Sequence, residues 1–264
     1  MTFFGELEMR SRAIDSLVCV GLDPDFRKHR VEEVAGFCRA IIEAAAPHAA
    51  CFKPNIAFFE QFGIPGLRAL EATLAAIPAG IPVIGDVKRG DIGNTAEAYA
   101  RAMFEEWRFG AVTVSGYQGR DTVEPFLAYE GRGVFVLCRT SNPGAKEFQE
   151  LRLANGRLVF EEVALTASAW SPQVGLVVGA TAPQELKRVC ELVPETGLLI
   201  PGVGAQGGRA EDVVRAAGYR HGKMVVNASR GVLYASEGPD FAEAAARAAR
   251  QLRDDLRAAA AMPA

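Results

Sequence analysis

Histidine is scarce in this chain. There are three in 264 residues, His29, His48 and His221, and no spacing lets two of them share a metal ion. Cysteine is sparse too: five residues, an odd count with no C-x-x-C pair. That pattern argues against a zinc ribbon and against a disulfide framework. Cys19, Cys38, Cys51 and Cys138 lie in apolar runs and read as reduced, buried small hydrophobes. Charge of one sign is also lacking. The formal net charge is -3, so the strongly basic footprint of a nucleic-acid binder is absent and no nucleic-acid partner is expected. No apolar run approaches the roughly 20 residues of a membrane span. The start, MTFFGELEMRSR, is amphipathic and carries charges inside it, unlike a signal peptide. The expectation is a cytoplasmic chain with no membrane partner. No linker, repeat or low-complexity block divides it, so residues 1–264 read as one domain with an N-terminal helix and a fraying Ala-rich tail, AAAAMPA.

What the sequence has in quantity is short apolar runs. Eight recur: 17–23, 50–55, 81–88, 111–116, 133–141, 174–180, 198–204 and 223–231. Each is almost continuously apolar, as strands buried on both faces of a parallel sheet are. The segments between them read as helices. Asn94 with Glu97 and Asp121 with Glu124 have capping-box spacing, and Asp240 with Glu243 opens a long run of helix formers. Pro65, Pro172 and Pro183 fall where helices begin or the chain turns. Eight strands alternating with helices predict an α/β fold, a (β/α)8 TIM barrel. An open doubly wound sheet is the alternative, although the G-x-G-x-x-G fingerprint of dinucleotide-binding versions is missing after the first strand.

Polar residues cluster where the strands end: Asp23, Lys53 and Asn55, Asp86 and Lys88, Ser115, Arg139 to Asn142, and Asn227 to Arg230. In a barrel these ends share one rim, where the active site forms. The densest cluster is GDVKRGDIGNT, residues 85–95. Residues i and i+2 of a strand face the same way, so Asp86 and Lys88 project together. A charged pair is costly to bury against helices, which favours the barrel mouth, though a structural ion pair at a strand end has the same spacing. A lysine between Asp86 and Asp91 keeps its proton and suits general acid work better than Schiff-base chemistry. PGVGAQGGRAED after the seventh strand and NASRG after the eighth sit where barrels bind phosphate. Gly-rich backbone, Gln206 and the permanently charged Arg230 are the expected grips.

CVGLDP (19–24), CFKPNIAFFEQFG (51–63), GDVKRGDIGNTA (85–96), RTSNPGA (139–145), PGVGAQGG (201–208) and NASRG (227–231) together resemble the orotidine 5'-phosphate decarboxylases, in their subgroup of longer bacterial chains. The resemblance spans most of the chain. It implies a homodimeric barrel that converts orotidine 5'-phosphate to uridine 5'-phosphate with neither metal nor organic cofactor. Lys88 resembles the acid that protonates C6, and Asp86 the carboxylate set beside the substrate carboxylate. Lys53 resembles the lysine linking the ribose to the charged array, and Asp23 a ribose-hydroxyl acceptor. Asp91 and Thr95 match positions that reach the neighbouring subunit's site. Ser141 matches the reader of the pyrimidine, and Gln206 and Arg230 match the phosphate grips. A phosphosugar lyase or aldolase with a Schiff-base lysine, and a barrel that only binds nucleotides, remain the alternatives.

Overall fold

The computed structural model describes residues 1–204 and 207–262. Each apolar run forms a strand: β1 Val18–Leu22, β2 Cys51–Pro54, β3 Ile84–Arg89, β4 Ala111–Val114, β5 Gly133–Arg139, β6 Val174–Val178, β7 Gly197–Pro201 and β8 Met224–Ala228. They pair in parallel in the order β2-β1-β8-β7-β6-β5-β4-β3. Isolated parallel bridges Phe52↔Val83 and Asn55↔Asp86 join β2 to β3 and close the ring. Closure removes the sheet edges, and parallel crossovers put the helices outside. The expected barrel is therefore present and the open sheet is not.

Two cores follow from the two faces of each strand. Val18, Val20, Val112, Val134, Val136 and their neighbours face outward into the shell of helices. Cys19, Cys51, Ile84, Ala111, Phe135, Val177, Leu199 and Val225 face inward and fill the barrel. Helix Phe3–Ile14 closes its lower end: Thr2 accepts a hydrogen bond from the Gly5 N–H, while Phe3 and Leu7 join the inner core. Phe3 meets Phe135 edge-on, with ring centroids 6.0 Å apart. The four cysteines of the apolar runs are buried and free, and Cys190 is half-buried and free.

Some local expectations fail. Asn94 lies inside helix Gly93–Arg101, whose N-cap is Ile92, so it caps nothing. Asp121 sits in a short 3-10 turn, Arg120–Thr122. The reciprocal glutamate bonds occur elsewhere: Glu33 accepts from the Arg30 N–H and Glu161 from the Leu158 N–H. Asp240 does precede helix Phe241–Ala261, but its carboxylate engages Ser236 and Arg247 rather than the helix end. That helix runs as far as Ala261, into the Ala-rich tail, whose last two residues lie outside the described ones. Among the described residues no helix is long and apolar enough to cross a membrane.

Candidate active site

Moving two residues along each strand from the inner core changes its chemistry. Cys51 gives way to Lys53, Ile84 to Asp86, Ala111 to Thr113 and Val225 to Asn227, while Leu137 and Pro201 keep the remaining wall apolar. These residues floor a cavity of about 450 Å³ at the C-terminal strand ends. Asp23, Asn55, Lys88, Thr140, Ser141, Asn142, Gly202, Ser229 and Arg230, with Val177, Leu199 and Val203, complete its wall. Gly21 is needed where β1 passes β8: a Cβ there would lie 1.9 Å from the Ser229 Oγ.

Asp86 is the centre. Its Oδ2 accepts from Lys53 Nζ at 2.7 Å, and its Oδ1 accepts from Lys88 Nζ and, at 3.0 Å, from the Thr113 hydroxyl. Lys53 is only 3% exposed, so burial alone would lower its pKa; the charges of Asp86 and Asp23 outweigh burial and hold it above its ordinary value. Burial pushes the other way on Asp86, but Lys53 and Lys88 prevail and keep it below the usual carboxylate range. For Asp23 burial wins, and its pKa is raised despite Lys53. Asp23 Oδ1 is buried with no hydrogen-bond partner among the described residues. A buried, unmatched acceptor facing a cavity is suited to a ligand hydroxyl.

Asp86 and Lys88 do share one face, yet not through a regular strand. Between Gly85↔Val112 and Arg89↔Val114 the pairing shifts, and Lys88 adopts φ +45°. That left-handed conformation is costly for a residue with a Cβ and is typical of functional sites. Lys88 is half-exposed at the mouth, whereas Asp86 and Lys53 lie deeper.

Other expected residues divide. Asp23, Lys53, Asp86, Lys88, Ser141 and Arg230 all line the cavity. Asp91 and Thr95 do not: Asp91 accepts from the Ile92 N–H at 2.8 Å, and Thr95 is exposed on helix Gly93–Arg101. Gln206 lies outside the described residues. Two rim residues turn away. Ser115 is not in the wall, and Arg139 is buried in an ion pair with Glu150 at 2.6 Å. Thr113 escaped the sequence reading, although it is the single polar residue of the buried run AVTV.

The positive charges of Lys53 and Lys88 act on the carboxylates of both Asp23 and Asp86. Among the described residues no group of three or more His, Cys, Asp or Glu side chains is placed to hold a metal ion.

Residues 16–248 match the profile of the orotidine 5'-phosphate decarboxylase / HUMPS family. The chain belongs to that family. It is 46% identical to the orotidine 5'-phosphate decarboxylase of Delftia acidovorans, over 99% of this chain and 100% of that one. The Leishmania donovani OMP decarboxylase structure superposes with a TM-score of 0.87 at 39% identity, covering 98% of this chain and 99% of that one. The UMP synthase of the same organism gives 0.91 at 41% identity over all of this chain, which spans 58% of that longer protein. The stretches that carry the resemblance reach the cavity wall: GDVKRGD brings Asp86 and Lys88, CFKPN brings Lys53 and Asn55, and NASRG brings Asn227, Ser229 and Arg230.

Proposed function

We propose that this protein decarboxylates orotidine 5'-phosphate to uridine 5'-phosphate, the last step of de novo UMP synthesis, without metal or cofactor. The observation that carries the reading is the Lys53–Asp86–Lys88 chain, a fixed carboxylate between the buried ammonium of Lys53 and that of Lys88 at the cavity mouth. Loss of carbon dioxide from C6 leaves an electron pair in the ring plane, where the pyrimidine cannot delocalise it. Preorganised charge must then carry the stabilisation. Lys88 sets its ammonium where that negative charge develops and gives C6 a proton, leaving a neutral amine that solvent reprotonates.

Asp86 faces the substrate carboxylate. Two like charges 4 Å apart interact by roughly 4 kcal/mol at an effective dielectric of 20. That is a small part of the ~23 kcal/mol near the top of the usual enzymatic range. Ground-state repulsion is therefore secondary, and stabilising the carbanion is the main effect. Lys53 links the array to the ribose, and the unmatched Asp23 Oδ1 accepts a ribose hydroxyl. Ser141 reads the pyrimidine, while Arg230 and Gln206 hold the phosphate.

The enzyme works in the cytoplasm as one barrel domain per subunit, paired as a homodimer. Asp91 and Thr95 complete the partner's site. In support, both lie outside their own cavity, and Ile92 between them leaves an apolar side chain 60% exposed. The Schiff-base alternative would put a free nucleophilic amine at Lys88, whose Nζ is instead ion-paired with the Asp86 carboxylate.

The test is release of carbon dioxide from orotidine 5'-phosphate by the purified protein in excess chelator. Loss of activity in chelator would indicate a metal-dependent phosphosugar enzyme, borohydride trapping of substrate a Schiff base, and uridine 5'-phosphate binding without turnover a binding protein.

A further inference from the structure

Thr113 stands opposite the irregular part of β3. From Gly85↔Val112 to Arg89↔Val114, β3 advances four residues while β4 advances two. The extra residues have no regular ladder partner, and the Thr113 hydroxyl takes their place. It accepts hydrogen bonds from the Val87 and Lys88 N–H groups, each at 3.0 Å, and donates to Asp86 Oδ1, also at 3.0 Å. A hydroxyl has one proton and two lone pairs, so this one is fully used. The side chain is 1% exposed, so water does not stand in readily.

We propose that Thr113 is a positioning residue for the decarboxylation. Its hydroxyl ties the left-handed Lys88 backbone to the Asp86 carboxylate and so fixes where the Lys88 ammonium points. The inference rests on the function proposed above. Both reacting-end groups, Asp86 and Lys88, are held by one atom of a neighbouring strand. A valine fills the same space without a donor or acceptor. It would strand the buried Val87 N–H and the part-buried Lys88 N–H, and free the carboxylate to rotate. The phosphate and ribose contacts arise from other strands, so ligand binding should survive while the chemical step slows.

The experiment compares Thr113→Val, Thr113→Ala and Thr113→Ser with the wild-type chain. The readouts are kcat on orotidine 5'-phosphate, the Kd of uridine 5'-phosphate by calorimetry, and thermal melting. Val and Ala should lower kcat about 10- to 100-fold, as loss of a hydrogen bond to a charged group does. The Kd should change by less than about threefold, and Ser should bring kcat back to within about threefold of wild type. Wild-type kcat in Val overturns the proposal, and so does Ser as slow as Ala. If Val fails to fold, Ser against Ala decides, because both lack the methyl and only one keeps the hydroxyl. A wild-type chain that leaves orotidine 5'-phosphate intact refutes the functional reading, and the Thr113 role with it. Turnover by wild type with no effect of Val refutes Thr113 alone.

Discussion

Replacing Asp86 by asparagine removes one charge and almost no volume, and it tests the electrostatic account of the site directly. Lys53 is 3% exposed and donates to Asp86 at 2.7 Å. Asparagine leaves it buried with only the more distant attraction of Asp23. Removing one member of a buried ion pair costs about 3–5 kcal/mol, a large part of the ~5–15 kcal/mol that holds a domain folded. Unfolding entropy near 2.1 cal/mol/K per residue gives about 0.55 kcal/mol/K for 264 residues. The melting temperature should therefore fall by about 5–9 °C.

The pH dependence has a definite sign. In the wild type, Lys53 sits above its ordinary pKa, so its contribution is full below about 10.4 and lost only as pH rises through the higher folded value. Asp86 is depressed, so its contribution is present above about 3.9 and lost as pH falls through its folded value. The pair thus stabilises the fold evenly between those limits. In Asp86→Asn, burial dominates Lys53 and depresses its pKa, and the folded state gains as the ammonium is neutralised. The deficit should be greatest near pH 7 and shrink toward pH 10. Melting by circular dichroism at three pH values measures it. A variant that melts with the wild type at pH 7, or a deficit that is the same at every pH, would refute the reasoning.

Lys88→Ala should keep the wild-type melting temperature within about 2 °C, because the side chain is half-exposed, while carbon dioxide release falls by orders of magnitude. Near-normal turnover would remove Lys88 from the chemistry. Mixing inactive Lys88→Ala and Asp91→Ala subunits should restore part of the activity, since one site of a mixed dimer keeps both residues; silence despite measured subunit exchange counts against a shared site. Asp23→Asn should raise the melting temperature by about 2 °C, roughly 1 kcal/mol, by removing a carboxylate whose burial outweighs its partners. The same change should weaken uridine 5'-phosphate binding at least about tenfold if Asp23 Oδ1 accepts a ribose hydroxyl. A less stable variant with unchanged affinity would contradict both halves.

What could be read in the sequence was what depends on local period. Eight Val/Ile/Leu-rich runs became eight strands because both faces of a barrel strand are buried, and that leaves the same mark in every register. Lys53, Asp86 and Asn227 were legible because each interrupts an apolar run two residues beyond an inward-facing residue. Arg139 has the same signature and the opposite fate: Glu150, eleven residues on, draws it away from the cavity, and no strand pattern encodes that partner. The helix caps misled for a related reason. Asn94 and Asp121 have cap spacing, but the chain entering each helix is fixed by the strand before it, and the helix begins where that loop permits. Thr113 is the hardest case. A lone threonine in a β-branched run is ordinary strand composition. Its significance comes from β3, where the register slips and leaves two N–H groups for a neighbour to satisfy. Period-two reasoning placed Asp86 and Lys88 on one face while assuming a regular strand, and the conclusion survives because the slip is compensated by a side chain on β4. The residue most informative about how the site is held is thus one whose own sequence context looks like core. Such residues are found by asking which backbone groups a neighbouring irregularity leaves unpaired.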